Sequence, residues 1–267
     1  MYKRQEYSGA TYQFDKDNYA LTEHGVREPV DDALIELFGD MVRQEQIAAM
    51  RAVQRVLNRL EKDASTVVRG WGNTSAVATP WDQYAAATPL DDIETASNVV
   101  EDRIGMIPNK IGMSWRLWRH LIRCAQFENK LDMGTNNAPN QVTMQGFKSL
   151  FPQFEEIVFW GAYENTANQS QDASLQKIWR NSDVFIGHIH NDGLDGDLTA
   201  PIPNVGRTLF YRDGNSPLPG AMDAEASIIM EEYRVEKRRG GDIRARNWRA
   251  IKKLHEEAGQ LLTGAAT

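Results

Sequence analysis

The sequence lacks the features of a secreted, membrane-spanning or disulfide-stapled protein. Cys124 is the one cysteine, so no disulfide can form within the chain, and assembly in a reducing cytoplasm fits this composition. No stretch approaches the roughly 18 apolar residues that a membrane-spanning helix requires. The first six residues lead into no apolar run, so no secretory signal is visible. The 20 glycines and 10 prolines are too few for a fibrous or low-complexity protein.

Known catalytic motifs are equally scarce. The sequence contains no Gly-x-Ser-x-Gly nucleophile elbow, phosphate loop, dinucleotide fingerprint or His-Glu-x-x-His zinc motif. One local cluster resembles a metal site, because His188 and His190 lie two apart on a predicted strand and precede Asp192, Asp195 and Asp197. Its acid spacing does not fit an EF-hand, and Asp-Gly pairs are typical of turns. We therefore expect a polar loop, and predict no catalytic, cofactor-binding or metal-binding residues.

The charge balance argues against a sequence-specific nucleic-acid reader. The 30 basic residues are outnumbered by 37 acidic ones, for a net charge of −7, whereas such readers usually carry a basic patch. Arg238 and Arg239 could touch DNA, but a solvated turn is the simpler interpretation. An acidic total remains compatible with a container for DNA, since a wall gains nothing by adhering to the DNA along its length.

Residues 1–30 are rich in aromatic and polar side chains but poor in aliphatic ones. Tyr7, Tyr12, Phe14 and Tyr19 lie on a segment that has no core of its own. We expect an extended arm whose aromatic residues dock mainly on a neighbouring subunit. The alternative is a partly disordered terminus.

Residues 31–65 carry the strongest helical pattern. Asp31 and Asp32 stand where acids favour a helix start, and Gly39 is a possible bend. At about 1.5 Å per residue the helix would span about 50 Å. Its apolar positions recur at spacings of three, four and seven: Leu34, Phe38, Met41, Val42, Ala49, Val53, Val56, Leu57, Leu60 and Ala64.

Residues 66–80 are expected to form a short strand and a loop, and helices and strands alternate over 88–190, which predicts a compact α/β unit. The first helix has Thr88 as cap, Pro89 at its first position, Asp91 to complete a capping box, and Gly105 at its end. The further predicted elements are a strand at 110–113, a helix capped by Ser114 with Trp115 and Trp118 near its buried face, a short helix from Thr143 that Pro152 stops, and strands at 157–160 and 184–186.

The C-terminal third predicts an antiparallel hairpin. Residues 227–237 and 243–253 are extended runs on either side of a glycine-containing turn. Ile229, Tyr233 and Val235 alternate with charged residues, which predicts one apolar and one solvated face. Because a helix as long as 31–65 needs packing along its length, we expect it to lie against the strands of this hairpin through Leu34, Phe38, Val53, Val56, Leu57 and Leu60.

Together these elements resemble the Hong Kong 97-type fold of tailed-bacteriophage major capsid proteins, which encapsulins share. Two stretches carry the resemblance. Residues 227–254 match a peripheral hairpin through Glu232-Tyr233-Arg234 and Gly241-Asp242-Ile243. Residues 81–131 match an axial-domain pattern through Trp81-Asp82, Thr88-Pro89-Leu90-Asp91-Asp92-Ile93, Gly105-Met106-Ile107-Pro108-Asn109-Lys110, and Trp118 with Leu121.

The resemblance implies an α+β fold with a long spine helix, a peripheral antiparallel sheet and an α/β axial domain. The implied division is 1–30 for the N-terminal arm and extended loop, 31–84 for the spine helix and first part of the peripheral domain, 85–205 for the axial domain, and 206–267 for the peripheral hairpin and C-terminus.

The same resemblance implies a structural protein and not an enzyme. It would be a major capsid protein that forms hexamers and pentamers and closes into an icosahedral phage head around double-stranded DNA. Assembly would occur in the host cytoplasm, with no membrane, and the mature location would be the virion. The implied partners are a portal and, as an optional addition, a scaffolding or decoration protein. Because little sequence precedes the arm, we expect any scaffold to be a separate protein.

Three alternatives stay open at this point. An encapsulin-like shell protein would have the same fold. A small metal-dependent hydrolase using His188, His190 and Asp192 would belong to a different functional class. Finally, some capsid proteins cross-link an arm lysine to a neighbour's asparagine, for which Lys3 and Lys16 are the candidates here.

Overall fold

The described residues form two large β-sheets and a two-stranded hairpin, and one long helix contacts both large sheets. The computed structural model describes residues 18–33, 36, 43–132, 144–167, 171–190, 203–211, 228–236 and 239–266. The helices in these ranges are α1 (Gln44–Arg69), α2 (Pro89–Ile104), α3 (Trp115–Leu121), α4 (Ala125–Asp132) and α5 (Met144–Leu150), with a 3₁₀ turn at Glu256–Ala258. The strands are β1 (Thr22–Asp31), β2 (Thr74–Ala76), β3 (Lys110–Ser114), β4 (Glu156–Trp160), β5 (Tyr163–Asn165), β6 (Leu175–Lys177), β7 (Val184–Gly187), β8 (Gly206–Phe210), β9 (Ile229–Val235), β10 (Gly240–Lys253) and β11 (Gly259–Thr263).

The first sheet is built around β10, the longest strand. β1 pairs antiparallel along one edge of it, from Thr22 opposite Arg249 to Asp31 opposite Gly240. The other edge is shared, because β9 pairs with the first half of β10 and β8 with its last five residues. α1 packs across one face of this four-stranded sheet through Ala52, Val56 and Ala245.

The second sheet has five strands in the order β2-β11-β7-β3-β4. One of its faces is covered by α2, α3, α4 and α5. Ile111 and Met113 of β3, Val184 and Ile186 of β7, and Leu262 of β11 share one core with these helices. The other face meets the end of α1, since Phe185 packs with Val67, Val68 and Trp71.

The long helix is confirmed, but the predicted bounds 31–65 were wrong. Asp31 ends β1, α1 begins at Gln44, and the helix runs four residues beyond the predicted end. Residues 34–35 and 37–42, including Gly39, lie outside the described residues. At 26 residues the helix spans about 39 Å. The acids at 31–32 misled the prediction because Asp31 belongs to a strand whose pairing partner lies more than 200 residues away.

The prediction that residues 1–30 pack mainly on other subunits was wrong for residues 22–30. These residues form β1 within the chain's own sheet, and Val26 and Val30 pack beneath it against α1 and β10. The sequence pattern did not indicate this strand, because the positions that face the core include the polar residues His24 and Glu28 as well as valines. The predicted contacts of Tyr7, Tyr12 and Phe14, and the cross-link candidates Lys3 and Lys16, lie outside the described residues, whereas Tyr19 is exposed.

The α2 segment matches its prediction closely. Pro89 occupies the first turn and Gly105 ends the helix in the left-handed region with φ 68°, which glycine adopts without strain. The predicted capping box does not form, because the Thr88 side chain makes no capping hydrogen bond. The Leu90 N–H instead donates to Gln126 Oε1 of α4 at 3.0 Å.

The helix predicted after Ser114 is divided into two. Ser114 does cap α3, where its Oγ accepts from the Leu117 N–H at 3.1 Å. The chain then turns at Ile122–Cys124 before α4 begins. Trp115 is 48% exposed and not buried as predicted. Its ring stacks on Phe159 of β4 with centroids 4.1 Å apart.

The C-terminal hairpin is confirmed, with two corrections. The face that packs on α1 carries Ile228, Met230 and Ala245, while Tyr233 is exposed, so the predicted phase of β9 was off by one residue. In addition, the final strand β11 joins the five-stranded sheet and not the hairpin. β2 also belongs to that sheet, so its members come from outside the predicted range 85–205.

Candidate assembly surfaces

The exposed side of α1 forms hydrogen bonds with the β5–β6 hairpin and with Trp179, which follows it. Asn58 Nδ2 donates to the Tyr163 carbonyl at 3.1 Å, and Lys62 Nζ donates to Glu164 at 2.5 Å. Trp179 Nε1 donates to Glu61 at 2.8 Å. Because this hairpin follows β4 of the second sheet, these bonds link the two sheets along the helix.

A cavity lies beside these contacts. It has a volume of about 590 Å³ and is lined by Leu57, Leu60 and the segment 161–163. Leu60 therefore borders this cavity, although the sequence pattern predicted that it would pack against the hairpin strands. Val53 and Leu57 do pack with the core under the four-stranded sheet, as predicted.

The face of the four-stranded sheet opposite α1 is a polar and aromatic surface. Arg246 is its centre: the guanidinium pairs with Glu23 at 3.2 Å and also with Glu231. It lies 4.5 Å from the ring centroid of Trp248, an arrangement that adds cation–π attraction. Hydrogen bonds from Tyr233 and Arg246 lower the pKa of the Glu231 carboxyl. This face can form polar contacts with another protein surface.

Asn109 connects the segment after α2 to two strands of the second sheet. Its side chain donates to the Ile189 carbonyl at 2.9 Å and accepts from the Ile189 N–H at 2.8 Å. Its backbone N–H donates to Gly187 and its carbonyl accepts from Glu155. Asn109 of the motif therefore has a structural role, since its amide side chain both donates to and accepts from the backbone of Ile189.

Trp81 and Cys124 hold the start of α2. Trp81 Nε1 donates to Asp92 at 2.9 Å, and the buried Cys124 thiol contacts the Trp81 carbonyl at 3.3 Å. Burial raises the pKa of Asp92, against the lowering effect of that hydrogen bond. Burial, with a smaller contribution from Glu128, raises the pKa of the Cys124 thiol to about 11. A thiol that stays protonated is a poor nucleophile, so the buried Cys124 has a structural place in the core and no nucleophilic role.

The candidate metal residues are only partly described. His188 and His190 follow β7 as irregular chain and not as the predicted strand. His188 Nδ1 donates to the Ile107 carbonyl at 3.0 Å, which gives this histidine a structural partner. Asp192, Asp195 and Asp197 lie outside the described residues. Within the described ranges, no group of three or more His, Cys, Asp or Glu side chains is arranged to hold a metal ion.

Arg239 stands at the tip of the β9–β10 turn. It is exposed and adopts a positive φ of 48°, which is uncommon for a residue with a side chain. Arg238 lies outside the described residues. In the part of the chain that is described, no helix has both the length and the apolar character needed to cross a bilayer.

No protein-family model and no curated protein matches this sequence. Solved structures do match, and they define the class of fold: it is the Hong Kong 97-type fold of phage capsid proteins and encapsulin shells. The chain is similar to a phage-related protein from Bordetella bronchiseptica RB50, with a TM-score of 0.64 and 19% identity over 92% of this chain and 76% of that one.

Two assembled shells show the same likeness. The capsid of cyanophage P-SCSP1u matches with a TM-score of 0.54 and 9% identity over 99% of this chain and 81% of that one. The SrpI encapsulin of Synechococcus elongatus PCC 7942 matches with a TM-score of 0.53 and 10% identity over 93% and 75%. The predicted α+β capsid fold is therefore confirmed.

Proposed function

We propose that this chain is a major capsid protein whose copies close into the icosahedral head of a tailed bacteriophage around double-stranded DNA. The observation that carries the proposal is that nearly the whole chain aligns with subunits of closed shells, 99% of it in the cyanophage capsid. A subunit that tiles a surface by repeated contacts forms closed symmetric assemblies. The role is structural, and no reaction is assigned.

The two sheets correspond to the two parts of such a subunit. The four-stranded sheet with α1 is proposed as the peripheral domain with its spine helix. The five-stranded sheet with α2–α5 is proposed as the axial domain, directed towards the five-fold and six-fold centres of hexamers and pentamers. Residues 1–17 are proposed to form the arm that contacts a neighbour. The hydrogen bonds between α1 and the β5–β6 hairpin support a fixed angle between the two parts.

The remaining partners follow from the role. A head that holds DNA requires a portal for entry, and a scaffolding or decoration protein is an optional addition. The net charge of −7 fits a wall that encloses DNA without reading its sequence. The proposed location is the virion, after assembly in the host cytoplasm.

Expression of the full chain followed by gel filtration and negative-stain microscopy tests the proposal. Hollow particles of megadalton size are expected. A small monodisperse oligomer that retains stoichiometric metal through dialysis would overturn it in favour of the hydrolase. Particles that enclose a co-purified protein, and that no phage genome enters in infected cells, would favour an encapsulin-like shell instead.

A further inference from the structure

Two helices on the five-stranded sheet carry opposite charges on their exposed faces. The acidic face belongs to α2. Its exposed acids follow one another at intervals of three, seven and one residues, which places them on one side of a helix with 3.6 residues per turn. None has an ion pair with any residue in the described ranges. These four residues are Asp91, Glu94, Glu101 and Asp102.

The basic face belongs to α3 and the turn after it. Arg116, Arg119 and Arg123 are exposed at spacings of three and four residues, on the side opposite the buried Leu117 and Leu121. Within the described part of the chain, none of the three forms an ion pair. The half-exposed ring of Trp115 lies on the same side of the helix.

Each face is unfavourable in an isolated subunit. Like charges three or four residues apart on a helix repel one another, and no side chain of either face forms an ion pair within the described residues. Burial lowers the pKa of His120, and Arg116 lowers it further, while Asp82 acts in the opposite direction. An opposing charged surface would therefore stabilise each face.

The two faces lie on different helices, and within the described residues no ion pair joins them. α2 contacts β11 and β7, whereas α3 contacts β3, on the far side of β7 from β11. Two complementary surfaces at different places on one molecule form a head-to-tail contact, and such contacts generate rings when the rotation closes.

We infer that the acidic face of α2 docks on the basic face of α3 in the next copy of this chain around a ring. The inference rests on the proposed shell function and assigns the surface that joins neighbouring subunits within each ring. Charge complementarity fixes which surfaces meet, and Trp115 supplies an aromatic anchor of the kind that interfaces favour.

Charge reversal with rescue tests this contact. Arg119→Glu with Arg123→Glu makes both faces acidic, and Glu94→Arg with Glu101→Arg makes both basic. Each pair of substitutions is expected to lower the yield of shells about tenfold or more, because like charges then meet at every contact. All four substitutions together are expected to restore the yield. Lys130→Glu, an exposed reversal on α4, is the matched control and should leave the yield unchanged.

Mixing the two reversed variants gives a second readout. An all-acidic and an all-basic subunit alternate favourably around a ring with an even number of members but not around one with five. The mixture is therefore expected to recover six-membered rings without closed shells. Thermal unfolding of each variant should match the wild type, since all four substituted side chains are exposed. Should a reversal unfold the subunit, Arg119→Gln with Arg123→Gln replaces it, with a smaller expected loss of shells.

The outcomes separate this inference from the proposal beneath it. Wild-type protein that forms no shells would overturn the shell function, and the inference with it. If the wild type and both reversed variants form shells in equal yield, the inference alone is overturned. The same holds if the variant with all four substitutions does not recover the yield of shells. Normal shells of the Arg119→Glu, Arg123→Glu variant with reduced DNA content would assign the basic face to nucleic acid instead.

Discussion

The two sheets of this chain are stabilised by different kinds of core. The five-stranded sheet and its helices bury a continuous apolar cluster with large aromatic side chains, among them Trp81, Phe127, Phe147 and Phe154. The four-stranded sheet meets α1 through two small clusters made largely of alanine, valine and isoleucine. The second region therefore gains less from apolar burial, which contributes about 1.5–3 kcal/mol for each large side chain.

Polar groups replace part of the missing apolar core under the four-stranded sheet. Asn247 and Arg249 are fully or almost fully buried on the face of β10 that meets α1. Arg249 donates to Asp63 at 2.7 Å, to Asn247 at 3.2 Å and to the Val56 carbonyl at 3.4 Å. The five-stranded sheet is thus stabilised by apolar packing, and the four-stranded sheet by a thin apolar layer together with buried ion pairs. We therefore expect the two regions to respond differently to substitution.

The largest effect is expected for Val56→Asp. Val56 is 1% exposed in the apolar layer between α1 and the sheet, so the substitution buries a charge that has no partner. We expect a loss of about 5 kcal/mol or more, which is enough to unfold a marginally stable protein. Soluble yield, circular dichroism and shell formation measure it.

Leu60→Asp is the matched control, one turn further along the same helix. Leu60 borders the cavity at 161–163, so its carboxylate reaches water and the variant should fold. Equal damage from both substitutions would contradict the assigned packing of α1.

Phe147→Ala is expected to cost about 3–5 kcal/mol, the usual range for truncating a fully buried aromatic residue. Phe147 contacts the rings of Trp118, Phe127, Phe151 and Phe154. Met144→Ala in the same helix, at a position that is 40% exposed, should cost little. Urea unfolding of both variants measures the difference, and a comparable loss for Met144→Ala would show that α5 does not pack as described.

The same contrast explains which parts of the fold were predictable from the sequence. The bounds of α2 were predicted because Pro89 and Gly105 act locally. β1 was missed because Glu28 points inward, and its ion pair with Arg55 of α1 joins residues far apart in sequence. β11 was assigned to the wrong sheet, because the sequence of a five-residue strand does not indicate which strands it pairs with.

The candidate surfaces were less predictable than the fold. The spacing of acids on α2 and arginines on α3 is visible in the sequence. Their lack of ion-pair partners among the described residues, and the different strands that α2 and α3 contact, depend on tertiary structure. A cluster of charges in sequence therefore indicates an exposed face, but only the fold shows whether that face is already neutralised.

Arg249→Leu should destabilise the four-stranded sheet by about 3 kcal/mol, since removing one member of a buried pair leaves polar groups unsatisfied. Asp63 keeps its second partner, Arg59, at 3.1 Å, which limits the loss. Arg246→Leu on the opposite face of β10 removes ion pairs that are partly exposed, so about 1 kcal/mol or less is expected. Chemical unfolding of the two variants compares them directly, and a larger loss for Arg246→Leu would reverse the assignment of the buried face.

A small effect is also expected for Arg55→Ala. The Arg55 side chain is 62% exposed, which by itself suggests that its removal costs little stability. Its partner Glu28, however, is only 11% exposed. Solvent screens the arginine, so the pair itself contributes little, whereas the carboxylate left behind is largely buried. We therefore expect a loss of about 1 kcal/mol. The double variant Arg55→Ala, Glu28→Gln should recover most of it, because the uncompensated charge is then gone, and a double-mutant cycle by urea unfolding isolates this coupling. Additive losses in that cycle would show that Arg55 and Glu28 act independently, and that β1 is joined to α1 by apolar contacts alone.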